Sequence, residues 1–255
     1  MYSAKGKRPL ALITGASRQI GIGAAVARAL AEDGWDLALS YWSPYDASMP
    51  WGSRGGETEA LGEELSHLGA EVGLYPADLS DAGSPKQLFD NVESRQGPVQ
   101  AMILSHCYSV DSDILTTTLE SFDRHFAINA RASWLLVREF GLHFQNKGEP
   151  GRIIAITSDH TAGNLPYGAS KGALDRIVQA SAVEFREKGI RANVINPGAT
   201  DTGWMDEELK KDVVGTTLSG RLGMPEDCAN LVRFLCSEKG QWINGQLLYS
   251  DGGLA

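Results

Sequence analysis

Short apolar runs alternate with longer helical patterns along almost the whole chain, and this rhythm limits the fold more than any other feature. Strand-like runs occur at Pro9–Thr14, Asp36–Tyr41, Glu71–Tyr75, Val99–Leu104, Arg152–Thr157, Arg191–Ile195 and Gln246–Tyr249. Helical patterns fill the gaps at Gly23–Asp33, Glu57–Leu68, Pro85–Arg95, Leu119–Asn146, Pro166–Lys188 and Pro225–Ser237. Strands alternating with helices predict βαβ units, hence an α/β chain built on a doubly wound parallel sheet of about seven strands with helices on both faces. A length of 255 residues suits one large domain or two small ones. With no internal repeat and no Pro/Ser-rich linker, one domain over residues 1–255 is the expectation. Two stretches read as loops attached to it. Trp42–Arg54 is long for a βα connection and carries two Pro and two Trp. Thr200–Leu222 is polar, breaks the rhythm before the last helix, and is expected to act as a substrate lid.

Composition removes several classes of function. The formal net charge is −9 and Lys and Arg form no block, which argues against nucleic acid or an anionic membrane as partner. No apolar run approaches the ~18 residues of a membrane helix, and the N-terminus lacks the pattern of a signal peptide. The three cysteines have no C-x-x-C spacing, so neither a disulfide framework nor a metal site is expected. His106 and Cys107 are adjacent but have no second ligand pair at suitable spacing, which points to packing. The expected location is the cytoplasm.

Chemistry enters with Tyr167-Gly168-Ala169-Ser170-Lys171. Positions i and i+4 share a helix face, so the phenol and the ammonium can reach one pocket. A fixed cation beside a phenol favours the phenolate and so lowers a pKa that is ordinarily about 10. Ser158, at the end of the preceding strand-like run, can hold a substrate oxygen while Tyr167 exchanges a proton with it. Those residue types describe a carbonyl–alcohol site.

The first strand is followed by Thr14-Gly15-Ala16-Ser17-Arg18-Gln19-Ile20-Gly21-Ile22-Gly23. Glycines at a strand-to-helix turn let the backbone approach a pyrophosphate, and the helix N-terminus adds amides and a positive dipole end. A tight turn with no ligand would look the same. The second strand ends Leu39-Ser40-Tyr41-Trp42, without the acid that holds the ribose 2′-hydroxyl of NAD. Arg18 can instead pair with a 2′-phosphate, which favours NADP(H) over NAD(H); the alternative is a solvated loop arginine.

These elements, in this order and over nearly the whole length, resemble the short-chain dehydrogenase/reductase family and its Rossmann-like domain. The resemblance also covers Asp78-Leu79 after the third strand, Asn129 in a central helix, Asn196-Pro197-Gly198, Thr202, Gly220–Asp227 and Asp251-Gly252-Gly253. It implies cofactor contacts from Gly15, Ser17, Arg18, Gly21, Ile22, Gly23, Tyr41, Asp78, Leu79, Ser105, Tyr167, Lys171, Pro197, Gly198 and Thr202. Asp78 would touch the adenine, and Pro197, Gly198 and Thr202 the nicotinamide end. It implies a catalytic set of Asn129, Ser158, Tyr167 and Lys171, with Asn129 anchoring a relay water and Lys171 holding the nicotinamide ribose. Asp78 as a turn cap, Asn129 as a partner for backbone groups at a helix kink and Thr202 as a helix cap remain open. The implied activity is hydride transfer between NADP(H) and a carbonyl or alcohol, and the nearest likeness is to 3-oxoacyl-acyl-carrier-protein reductases. A homotetramer or dimer is implied as well.

The chain departs from the family pattern in three places. Five residues separate Gly15 from Gly21, which is expected to lengthen the phosphate loop; the other register lets Gln19 replace the middle glycine. Leu104-Ser105-His106-Cys107 stands where the family has Asn-Asn-Ala-Gly, with Ser105 as a polar substitute. Ser158 and Tyr167 are nine apart rather than about a dozen. These departures motivate the rival reading, a cofactor-binding sensor or assembly subunit without turnover. Trp51, Trp204 and Met205 are candidates for an apolar substrate pocket or for packing anchors.

Overall fold

All seven expected strands form and lie parallel in one sheet. The computed structural model describes residues 8–253. In chain order β1 spans Leu10–Thr14, β2 Asp36–Tyr41, β3 Val72–Pro76, β4 Val99–Leu104, β5 Gly151–Ile156, β6 Ile190–Asn196 and β7 Leu247–Tyr249. Their order across the sheet is β3-β2-β1-β4-β5-β6-β7. The central strands β1 and β5 are buried along their whole length, as a sheet covered on both faces requires. Helices α1 (Ile22–Glu32), α3 (Glu57–His67) and α9 (Pro225–Cys236) cover one face, and α4 (Ser84–Gln96), α6 (Ser133–His143) and α7 (Leu165–Glu184) the other. Trp35, Leu37 and Leu39 fill the first layer, and Phe89, Met102 and Phe140 the second.

Three segments differ from the expectation. Trp42–Arg54 is not wholly irregular, because Ser43–Ser48 forms the short helix α2 with Pro44 in its first turn. Likewise Thr200–Leu222 contains α8 (Glu207–Thr216), started by the Asp206 carboxylate accepting from the Leu209 N–H at 2.8 Å. The pattern Leu119–Asn146 is not one α-helix either. It divides into α5 (Leu119–His125), a π-helical turn over Phe126–Ala132, and α6. Side chains compete for carbonyls inside that turn: His106 Nε2 donates to Ile128 O at 3.1 Å, and Ser133 Oγ donates to Asn129 O at 2.8 Å. Apolar periodicity carries no sign of such side-chain competition.

The chain leaves β1 toward β2 on one side and returns to β4 on the other. A crevice therefore opens beyond the carboxyl ends of β1 and β4, where ligands bind in sheets of this kind. His106 ties the two ends together. Its Nδ1 accepts from Thr14 Oγ1 at 2.6 Å while Nε2–H goes to Ile128 O, which sets a neutral tautomer. Burial, and then the Lys171 charge, push its pKa from 6.5 down to about 3, against a smaller upward pull from Ile128 O. Keeping this ring neutral thus contributes stability that is fully present above about pH 6.5 and lost as pH falls toward about 3. Urea unfolding measured at steps across that window should show His106→Asn losing less stability on acidification than the wild type, by on the order of 4 kcal/mol at the acid end. Parallel acid limbs for the two proteins would show that His106 titrates normally.

Candidate active site

The glycine-rich turn is built by close backbone approach. Gly15 takes φ +75°, and a Cβ there would stand 2.7 Å from the backbone of Ser105 and His106. A Cβ on Gly23 would stand 2.7 Å from Gly15 O. Gly15 and Gly23 are therefore the crossing pair, and Ser17–Ile20 loop out between them, closed by Gly21 N–H to Arg18 O at 3.1 Å. Among the described residues no non-glycine has a positive φ, so Gln19 does not take a left-handed glycine's place. The longer loop is the observed arrangement. Gly21 caps α1 without a side-chain bond, and the first turn holds no acid. That leaves the first amides of α1, Ile22 included, available to an anion. The open cradle and the helix end fit a dinucleotide phosphate.

Other residues singled out from the sequence ring the same crevice. Ser105 N–H donates to Thr14 Oγ1 at 3.2 Å. Arg18 lies with its guanidinium carbon 5.0 Å from the centre of the Trp51 ring and donates to Thr202 O at 2.8 Å, linking the glycine-rich loop to the segment after β6. Gly198, following buried Pro197, has φ +61° and lies against Asp251. Tyr41 ends β2. Asp78 accepts from Ser80 N–H at 2.9 Å, so it does cap a turn, and Leu79 is buried in the core.

Tyr167 and Lys171 stand one turn apart on α7. Lys171 is 2% exposed. Its ammonium donates to Ile156 O at 2.8 Å and lies 5.7 Å from the centre of the Tyr167 ring. Burial lowers the Lys171 pKa, against upward pulls from Cys107 and Asp175. The Tyr167 phenol moves the other way from the sequence expectation: burial, then Cys107 and Tyr45, raise it well above its ordinary value. Desolvation outweighs the cation, which is spent on a carbonyl rather than on the hydroxyl. Ser158 lies two residues beyond that carbonyl, and its Oγ accepts from His160 N–H at 3.2 Å. Gly168 permits the short Ser158–Tyr167 loop, because a Cβ there would collide with His160 O.

Asn129 is fully buried in the π-helical turn. Its Oδ1 accepts from Tyr108 N–H at 2.7 Å, and its amide donates to Tyr108 O and to Ser170 Oγ, both at 2.9 Å. Ser170 Oγ donates in turn to Tyr167 O at 2.8 Å. Asn129 thus joins the β4 loop to the helical turn that carries Tyr167.

Several site residues were not singled out from the sequence. Tyr45 and Asp46, on α2, reach the crevice from the Trp42–Arg54 stretch; its unusual length was the one available signal. Trp51 packs against Tyr45, with ring centres 6.3 Å apart. Met205 is buried, whereas Trp204 is exposed. No cluster of metal-ligating side chains occurs among the described residues, and none of their helices is long and apolar enough to cross a membrane.

Comparison with known proteins agrees with this geometry. Residues 15–255 match the family described as enoyl-(acyl carrier protein) reductase. The uncharacterized oxidoreductase YjdA of Bacillus subtilis is 33% identical over 249 residues, spanning 96% of each chain. A chloroplastic NADPH-dependent aldehyde reductase-like protein of Arabidopsis thaliana is 32% identical over 258 residues, spanning 96% of this chain and 93% of its own. Among solved structures, a blue fluorescent protein from a metagenomic library in complex with NADPH has a TM-score of 0.85 at 31% identity, over 97% of this chain and 98% of that one. A short chain dehydrogenase from Burkholderia cenocepacia in complex with NADP has a TM-score of 0.86 at 29% identity, over 98% of both chains. Sheet order, glycine cradle and these likenesses converge: the chain belongs to the short-chain dehydrogenase/reductase family of oxidoreductases.

Proposed function

We propose that the protein reduces a ketone or similar carbonyl with NADP(H). The observation that carries this reading is the placement on α7 of the half-buried Tyr167 one turn from the buried Lys171, at the crevice beside the glycine cradle. Bound NADPH would supply the hydride that the carbonyl carbon gains. Tyr167 gives its proton to the carbonyl oxygen, and a phenol whose pKa is raised suits the acid role in the reducing direction. Ser158 Oγ–H donates to the same oxygen and stabilises charge as it develops there. Lys171 hands a proton back toward the Tyr167 oxygen and holds the nicotinamide ribose. Asn129 keeps one lone pair on Oδ1 for a relay water, since Tyr108 N–H takes the other. Gly15, Ser17, Gly21, Ile22 and Gly23 hold the pyrophosphate. Tyr41, Asp78 and Leu79 line the adenosine end, and Ser105, Pro197, Gly198 and Thr202 the nicotinamide end.

The preference for NADP(H) rests on Arg18. One of its N–H groups goes to Thr202 O, which leaves others of the five for a 2′-phosphate. The nearest acid on the strand's continuation, Asp46, already accepts from Ser17 and Trp51. Three of the similar proteins are described with NADPH or NADP, in keeping with this choice. 3-Oxoacyl thioesters and aldehydes head the substrate classes to try, the second because of the Arabidopsis relative. Trp134 and Leu142 on α6 and Val183 on α7 are large apolar side chains left exposed, which supports pairing of copies through these helices, and light scattering should return a dimer or tetramer.

NADPH oxidation followed against 3-oxoacyl thioesters, quinones, keto-sugars, steroids and small diketones tests the reading. Tyr167→Phe should lose about 10²- to 10⁴-fold in kcat, the range of a positioned general acid, while binding NADPH normally. Tight NADPH binding with no turnover of any carbonyl would refute it in favour of a non-catalytic binding role. Arg18→Ala should raise the KM for NADPH about ten- to a hundredfold, the range of a charge-assisted bond, and leave that for NADH little changed. An equal rise for both cofactors would remove the basis for the NADP(H) preference.

A further inference from the structure

The stretch Trp42–Gly52 crosses the crevice from the end of β2 to the loop after β4. One end is pinned at the glycine-rich loop. Asp46, 4% exposed, accepts from Ser17 Oγ at 2.6 Å and from Trp51 Nε1 at 3.0 Å. Arg18 stacks over the same Trp51 ring. A carboxylate held by two donors tolerates little displacement, since moving it strips both hydrogen bonds. Tyr45, next to Asp46 on α2, meets the loop after β4. Its ring is tilted against Tyr108 at 5.6 Å between centres, and its hydroxyl lies 3.4 Å from Ser109 O and 3.3 Å from Ser109 N.

Ser109 is held from the opposite side as well. Asn164 Nδ2 donates to Ser109 Oγ at 2.9 Å and to Asp111 Oδ1 at 2.5 Å. Asn164 caps α7 three residues before Tyr167. A chain of contacts therefore runs from the Asp46 pin through Tyr45 and Ser109 to Asn164 and the turn that carries Tyr167. Tyr108, on which the Tyr45 ring packs, is gripped through its backbone by Asn129, whose amide also reaches Ser170 beside Tyr167; burial raises the Tyr45 phenol, so Tyr45 stays a neutral wall.

We propose that Tyr45 is a specificity-determining residue of the carbonyl site, a ceiling set at fixed height by the Asp46 pin that admits small or flat carbonyls and turns away bulky ones. This rests on the carbonyl-reductase reading. Discrimination of this kind is steric, so it belongs to the ring and not to the hydroxyl. It also makes Asp46, which lies outside the reacting pocket, a positioning residue for selectivity.

Two measurements test it. The first takes kcat/KM with NADPH for a small diketone and for a branched polycyclic ketone, in wild type and in Y45A, Y45F and D46A. The bulky-to-small ratio should rise at least tenfold in Y45A and in D46A and stay within about twofold in Y45F. The second, on the protein without cofactor, compares labelling of Cys107 by a bulky maleimide and by iodoacetamide, with the site identified by mass spectrometry. Cys228 and Cys236 are buried in the core and serve as folding controls. Y45A and D46A should speed the bulky reagent selectively, and Y45F should not. An unchanged ratio in a Y45A protein that still reduces carbonyls overturns the ceiling alone. A D46A protein altered only in NADPH affinity overturns it too, and makes the strap a cofactor clamp. A wild type that reduces no carbonyl overturns the reductase reading and this proposal with it, while the labelling result still reports whether Tyr45 covers the crevice.

Discussion

The approach of Gly15 to the backbone of Ser105 and His106 is the constraint on which the rest of the site depends. At that point the loops leaving β1 and β4 touch, and a side chain at Gly15 would force them apart. The contact fixes the floor of the crevice. Thr14 and His106 bolt it from below by a short hydrogen bond between buried groups, and Ile128 O, the acceptor of the same imidazole, draws in the π-helical turn that holds Asn129. Strand ends, glycine cradle and Asn129 are thus positioned by one buried ring. A neutral imidazole can do this because it offers one donor and one acceptor in opposite directions.

A second constraint is the buried cation. Lys171 gives up hydration to lie beside Tyr167, and a single strong bond to Ile156 O accompanies the contact with the ring. Desolvation then dominates both partners, lowering the ammonium and raising the phenol. The pair as it stands favours a neutral tyrosine that can donate. A nearby negative group or a hydroxyl placed between the two would alter that balance, which is why the protonation of the pair belongs to the loaded site and not to the helix spacing.

Period and punctuation in the sequence were enough for the strands, because a parallel sheet covered on both faces writes each strand as a short apolar run bounded by glycine or a turn. The cradle was legible for a related reason: glycines needed for close approach cannot be replaced without collision, as Gly15 and Gly23 show. What stayed hidden was whatever side chains decide across distance. The break in the central helix depends on His106 and Ser133 taking carbonyls from Ile128 and Asn129. The upward shift of Tyr167 depends on burial, to which an i, i+4 spacing is blind. Nothing in the sequence sets Asp46 apart from other loop acids, because one of its partners, Ser17, lies 29 residues away in the chain.

The three departures from the family pattern are physically one unit. The lengthened glycine-rich loop brings Ser17 and Arg18 to the strap, where Asp46 and Trp51 receive them. The strap's Tyr45 bears on Tyr108 and Ser109, directly after the altered segment that ends in Cys107. Asn164, in the shortened loop before Tyr167, reaches the same Ser109 and also Asp111. The links run through the Trp42–Gly52 stretch and Asn164: Asp46 accepts from Ser17 Oγ, the Tyr45 hydroxyl meets the Ser109 backbone, and Asn164 Nδ2 donates to Ser109 Oγ. Polar groups withdrawn from water are tolerated only when paired, so removing Asp46 or Tyr45 would take a partner from Ser17 Oγ or from the Ser109 backbone. The altered segments therefore read as a rebuilt mouth whose support reaches the floor through His106, itself one of the changes, so that access to the crevice can change while the Tyr167–Lys171 pair stays in place.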